Sequence, residues 1–159
     1  MDQSPSVTIA LAWVSGNDRT LVMSTISRLE SIYRDLEKEH KRVMKLLARL
    51  REKAAAKDLL PLLEELRTLL IVHFAREQLP DGFYEALGEL AESRRSELDE
   101  LIAEHAGILS ELNQLLSHAK DSPVVDETDL LDRVAKLLER LDSHEQKEHL
   151  FATDVLGAA

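Results

Sequence analysis

One stretch, Leu66 to Glu77, constrains the fold more than any other: Leu-Arg-Thr-Leu-Leu-Ile-Val-His-Phe-Ala-Arg-Glu. With Leu59 and Leu63 before it, its apolar positions Leu66 and Leu70 recur every three or four residues, the spacing of one helix face. Continued along that face, the next two positions are His73 and Glu77. A histidine and a carboxylate one turn apart therefore project from the side that should be driest. An unpaired carboxylate buried there costs several kcal/mol. Something must compensate it, and a metal cation is one candidate.

The rest of the chain reads as further helices of the same kind. A first helix near 19–54 carries Val22, Ile26, Leu29, Tyr33, Leu36, His40, Val43, Leu47 and Leu50 on one stripe, with Asn17 or Asp18 as its expected N-cap. Residues 54–57 read as a tight connection, with Asp58 capping the second helix and Pro61 in its first turn. Pro80-Asp81-Gly82 breaks that helix, and a short helix over 83–91 is expected next. A third helix near 93–117 turns Leu98, Leu101, His105, Ile108 and Leu112 inward. After a loop at 119–126, a last helix near 127–155 presents Leu130, Val134, Leu137, Leu141, His144, Glu148 and Phe151.

The second half repeats the first. Glu39-His40 after Leu36 corresponds to Glu104-His105 after Leu101, and the Leu59 to Glu77 face matches the Leu130 to Glu148 face position for position. In an up-down bundle the polar residues must meet at one level. His40 and His73 lie about fifteen residues either side of their connection, as do His105 and His144 of theirs, so the rises cancel. The middle connection fits only if the chain turns twice, at 80–83 and again near 88–93. The predicted fold is an all-α antiparallel up-down four-helix bundle over 18–159, with residues 1–17 as an N-terminal arm.

Composition narrows the function. A net charge of −10 argues against a nucleic acid or an anionic membrane as partner. The absence of cysteine removes disulfides, thiolate metal sites and cysteine catalysis. The short apolar run Val7–Val14 follows acidic and polar residues and makes a poor signal peptide, so the chain reads as cytoplasmic. No phosphate-binding glycine loop or Ser-His-Asp arrangement is visible.

Six inward nitrogen and oxygen donors without sulfur suit Fe, Mn or Zn. A single tetrahedral Zn would leave two buried groups without a role. Two ions use them all, with His40 and His73 on one, His105 and His144 on the other, and Glu77 and Glu148 bridging. That pairing is inferred from helix adjacency, and the same donors could be shuffled between the ions.

At these residues the chain resembles the hemerythrin-like family, the four-helix HHE cation-binding domains with non-haem di-iron sites. Glu39-His40, His73-Phe74-Ala75-Arg76-Glu77, Glu104-His105 and His144-Glu145-Gln146-Lys147-Glu148 carry the likeness, over about residues 25–155. It implies His40, His73, His105 and His144 as terminal ligands of two iron ions, Glu77 and Glu148 as bridges, and O2 or a related molecule such as NO as ligand, or iron storage, in a sensing or protective role. The pattern departs at the third helix, where Leu101 and Leu109 stand one turn either side of His105. One iron then lacks a nitrogen unless His149 or water supplies it. A di-iron oxidase or peroxidase and a metal-free interaction bundle are the alternatives.

Weaker expectations concern the neighbours. His118 falls on the far side of its helix and reads as a solvated residue. His149, off the stripe beside Glu148, reads as partly exposed, or as a further nitrogen donor. Tyr33 reads as an aromatic core residue, or as lining the metal pocket. Phe74 and Phe151 should keep water out. Glu37-Lys38-Glu39 and Glu145-Gln146-Lys147 read as solvated faces.

Overall fold

The computed structural model describes residues 16–52, 55–121 and 126–158. The N-terminal arm up to residue 15, including Val7–Val14, lies outside the described residues, as do the side chains of Asn17, Asp18 and Val22. Every regular element among the described residues is helical: α1 (Gly16–Arg51), α2 (Ala56–Gln78), α3 (Phe83–Leu87), a 3-10 segment (Gly88–Arg94), α4 (Arg95–Asp121) and α5 (Glu127–Ala158). Helix α1 packs on α2, α2 on α4, α4 on α5, and α5 returns to α1, closing a helical bundle. No helix among the described residues is long and apolar enough to cross a membrane.

Several boundaries differ from the sequence expectation. Helix α1 starts upstream of the expected caps. In α2 the N-cap is Ala55, with no side-chain cap, and Asp58 lies inside the first turn, where its negative charge still suits the helix N-terminus. Pro61 consequently sits in the second turn, where it forfeits a ladder hydrogen bond. Helix α4 runs on to Asp121, through part of the expected loop.

The apolar stripes do not merge into one core. One cluster is built from residues such as Val43, Leu47, Leu63, Leu70, Ile108 and Leu141. The other gathers Leu29, Leu36, Phe83, Leu87, Leu101 and Phe151. Along α1, α4 and α5 the chain passes from one cluster to the other at a polar residue, and α2 leaves the first cluster at His73 and Glu77. His40 falls between Leu36 and Val43, His105 between Leu101 and Ile108, and His144 and Glu148 between Leu141 and Phe151. A polar layer thus crosses the bundle at a single level.

The middle connection does turn twice. Leu79 closes α2 by donating its N–H to the Ala75 carbonyl at 3.0 Å, and Gly82 donates to the Leu79 carbonyl at 2.8 Å. Asp81 takes a left-handed φ of 64°, and its N–H is held by the Glu85 carboxylate at 2.6 Å. Gly88, at φ 50°, then ends α3 and admits the 3-10 segment. This shortens the expected 83–91 helix to a single turn. It also seats Phe83, Tyr84 and Leu87 in the second cluster.

Gly82 is needed for want of space. A Cβ there would lie 2.6 Å from the carbonyl oxygens of Arg76 and Leu79 and 2.7 Å from that of Glu77. None of these backbone atoms can swing aside. Gly82→Ala should therefore cost about 1–3 kcal/mol, the usual range for forced overpacking, measured by urea unfolding with the slope unchanged.

Candidate metal centre

The structure brings His40, His73, Glu77, His105, His144 and Glu148 together in the polar layer. Two groups of donor atoms lie within 4.8 Å of one another: His40, His73, Glu145 and Glu148, and separately His105, His144 and Glu148. Glu77 spans both. Its Oε1 is 2.9 Å from His73 Nε2 and 3.5 Å from His40 Nε2, while its Oε2 is 3.2 Å from His105 Nε2. Glu148 stands across from it, with Oε2 at 3.8 Å from both His40 Nε2 and His144 Nε2. For bonds of about 2.1 Å, two donors on one ion stand roughly 3.0 Å apart at right angles and about 3.4 Å apart in a tetrahedron. The spacings at Glu77, 2.9, 3.2 and 3.5 Å, lie within about 0.1 Å of that range.

Hydrogen bonds aim the rings. His73 Nδ1–H donates to Glu39 Oε2 at 3.2 Å, and His144 Nδ1–H donates to Glu104 Oε2 at 2.8 Å. Each carboxylate is itself gripped by a cation, Glu39 by Arg76 and Glu104 by Lys147, whose Nζ is 2.6 Å from Oε1. His105 Nδ1–H donates to Gln78 Oε1 at 2.8 Å. With the proton on Nδ1, Nε2 of His105 and of His144 presents a lone pair to the centre, while His73 Nε2 faces Glu77 Oε1. His105 Nε2 and His144 Nε2 stand only 3.0 Å apart, so two lone pairs face each other. Outer partners of this kind fix tautomer and raise donor strength in metal sites.

The burial is extreme. Nine buried side-chain N and O atoms among the described residues have no hydrogen-bond partner, and all but Asp142 Oδ1 belong to His40, His73, Glu77, Glu145 and Glu148. The charges of the metal-free cluster offset one another only in part. Burial opposes protonation of His73, but Glu145 and Glu77 outweigh it and hold the ring up at about 10. Burial likewise pushes Glu77 up, and the His40 and His73 contacts overcome this to hold it well below the usual carboxylate range. At Glu148, burial and the charges of Glu77 and Glu145 act together and hold the carboxyl far above that range. His105 is pushed down to about 4 by burial and by His144 and His73, against the pull of Glu77. Cations in the two donor groups would answer the unpaired oxygens and lone pairs of the cluster, so the donor set fits a metal.

Residues 31–152 match the family model of the Hemerythrin HHE cation binding domain. The chain belongs to this hemerythrin HHE family. No curated protein and no solved structure matches it at a significant level. Membership makes the polar layer intelligible as the cation-binding layer of an HHE domain.

Several neighbours were misjudged from sequence. Glu39 and Glu145, read as parts of solvated faces, are both only 7% exposed. Glu145 places Oε2 at 3.3 Å from His40 Nε2 and Oε1 at 3.7 Å from His73 Nε2, among the donors themselves. An amphipathic reading missed both because each sits next to a stripe histidine, about 100° around the helix. The Glu-His pair given twice was the available signal. His149 is exposed, and its Nδ1 is hydrogen-bonded to the Tyr33 hydroxyl at 2.9 Å, not aimed at the cluster. His118 is partly buried, not fully solvated, and lies roughly 20 Å along α4 from His105. Phe74 does seal the layer, stacked on His105 with ring centroids 3.9 Å apart. Phe151 is buried in the second cluster beneath the Arg94 guanidinium. Tyr84, which the sequence reading passed over, puts its hydroxyl 3.5 Å from His105 Nε2.

Because Glu39 and Glu104 orient His73 and His144, Glu39→Ala and Glu104→Ala should each weaken cation binding by about 10–100-fold. Competition against a chromophoric chelator reads this directly.

Proposed function

We propose that this HHE domain is an antiparallel four-helix bundle that holds two non-haem iron ions and binds O2 or a related diatomic such as NO, or stores iron, in a sensing or protective role in the cytoplasm. His40 and His73 would serve one ion, joined by Glu145, and His105 and His144 the other. Glu77 and Glu148 would bridge. The observation that carries the reading is the convergence of unpartnered oxygens and imidazole lone pairs at one level of a dry core. Such a charge cluster is strongly destabilising unless cations complete it. Bound iron supplies open coordination positions and one-electron redox chemistry for a small ligand.

The protein's own residues do the remaining work. Glu39 and Glu104 hold the imidazoles in one tautomer. Phe74 covers the His105 side and excludes water there. On the other side His40 and Glu145 line a cleft of about 700 Å³ between α1 and α5, which also touches Met44, Asp142, His149 and Leu150. His40, with 13% of its side chain exposed, is the most accessible of the six. His40 Nε2 and both Glu145 oxygens lie buried behind its wall, and the cleft would be the side from which a ligand of a few atoms approaches.

A di-iron oxidase or peroxidase is the second reading. What favours it is the placing of Tyr84 and Glu145, two further titratable groups, against the cluster. Peroxide or O2 consumption by iron-loaded protein at rates above a metal blank would support it. Rates equal to the blank would remove it.

Metal analysis after iron loading should find about two equivalents per chain, as expected for two-metal carboxylate sites. Stripping the metal should lower the unfolding temperature. At free metal a thousandfold above Kd the stabilisation is about 4 kcal/mol. Protein that holds no metal and is indifferent to chelator would instead be a metal-free interaction bundle.

A further inference from the structure

The two halves of the centre repeat each other in sequence but not in their donors. In α5 the residue after the histidine is Glu145, whose carboxylate stands between His40 and His73. In α2 the residue after the histidine is Phe74, which stacks on His105 and offers no donor. The pair His40 and His73 thus has a terminal oxygen, and the pair His105 and His144 has none from the repeated helices.

The short helix α3 supplies one. Tyr84 is 6% exposed, and its ring lies nearly parallel to that of His105, with centroids 6.0 Å apart and an interplanar angle of 18°. Its hydroxyl oxygen is 3.5 Å from His105 Nε2, while His144 Nε2 is 3.0 Å from that same nitrogen. A separation of 3.5 Å is long for a hydrogen bond. It is close to the roughly 3.4 Å between two tetrahedral donors on one ion. Tyr33 offers the contrast: its hydroxyl is engaged at the surface by His149.

We propose that the Tyr84 oxygen is the third terminal donor to the cation between His105 and His144, the place that Glu145 takes for the cation between His40 and His73. Coordination replaces the phenol O–H bond by an oxygen–metal bond, and the proton leaves to water. The missing histidine on α4 is thereby made good by an oxygen from α3. The two ions are chemically distinct, one with a carboxylate and one with a phenolate. The proposal rests on the two-ion reading above, and the test separates the two.

Ferric protein is prepared by anaerobic loading with Fe(II) and oxidation with a one-electron chemical oxidant, and its iron content is measured. A phenolate-to-iron band in the visible spectrum is expected, with tyrosine ring modes enhanced in resonance Raman at that wavelength. Tyr84→Phe, which keeps the ring and its packing, should lose both signals while folding as before by circular dichroism. Tyr33→Phe should keep them. Two equivalents of ferric iron without phenolate modes, or modes that persist in Tyr84→Phe, would overturn the Tyr84 assignment and leave the di-iron reading standing. Protein that takes up no iron would overturn both.

Discussion

Three carboxylates and four imidazoles share a dry plane across the middle of this molecule, and nearly everything else follows from that burden. Glu77, Glu145 and Glu148 each bury oxygens that meet no hydrogen-bond donor. Moving one ion from water into a low-dielectric interior costs several kcal/mol even after relaxation. Burial of a leucine returns about 1.5–3 kcal/mol. Such a layer survives only with leucine-rich packing on both sides of it and positive charge within it. The two apolar clusters supply the first. In the metal-free state a proton on His73 supplies part of the second and a proton on Glu148 removes one negative charge; a bound cation would supply the rest.

The repeat makes this layer economical to build. Each half contributes a helix bearing Glu-His and a helix bearing His-x-x-x-Glu, and the glutamate of the first helix orients the histidine of the second. Glu39 does this for His73 while pinned by Arg76, and Glu104 does it for His144 while pinned by Lys147. The two cations sit at matching places, one residue before Glu77 and one before Glu148. A carboxylate held on one side by a fixed cation has little freedom to rotate away from the imidazole on the other. Ring orientation is thereby set by helix packing, before any ion arrives.

Much of this was legible in sequence, and the boundary of legibility has a physical cause. The stripes ending in His73-Glu77 and His144-Glu148 are periodic, so the helix face and its level could be read directly. Cancelling rises put His40 beside His73 and His105 beside His144, and the structure places them so. Glu39 and Glu145 were missed because periodicity sorts residues by angle about one helix. Their burial depends on what a second helix brings to the flank, His73 for Glu39 and His40 for Glu145. Asp58 failed as a cap for a smaller reason: the helix starts two residues earlier, at Ala56, without any side-chain cap. Tyr84 had no periodic signal at all. Its place is fixed by turns, and turn geometry reads from sequence only as a break.

That break is where the two halves stop being equivalent. Between Glu77 and His105 the chain must use more residues than a simple reversal needs, and it spends them on α3 and the 3-10 segment. At Gly82 the chain leaves α2 so close to the carbonyls of Arg76, Glu77 and Leu79 that no side chain fits there. Gly88 then turns the chain again. Between those two glycines lie Phe83, Tyr84 and Leu87, which close the second apolar cluster over the His105 side. The cleft between α1 and α5, by contrast, is lined by His40 and Glu145, whose donor atoms lie buried just behind it. One side is capped by aromatic side chains rooted in a hydrogen-bonded turn, and the other opens along a seam between two long helices. A ligand of the kind proposed, arriving from outside, would therefore meet the side of His40 and Glu145 first.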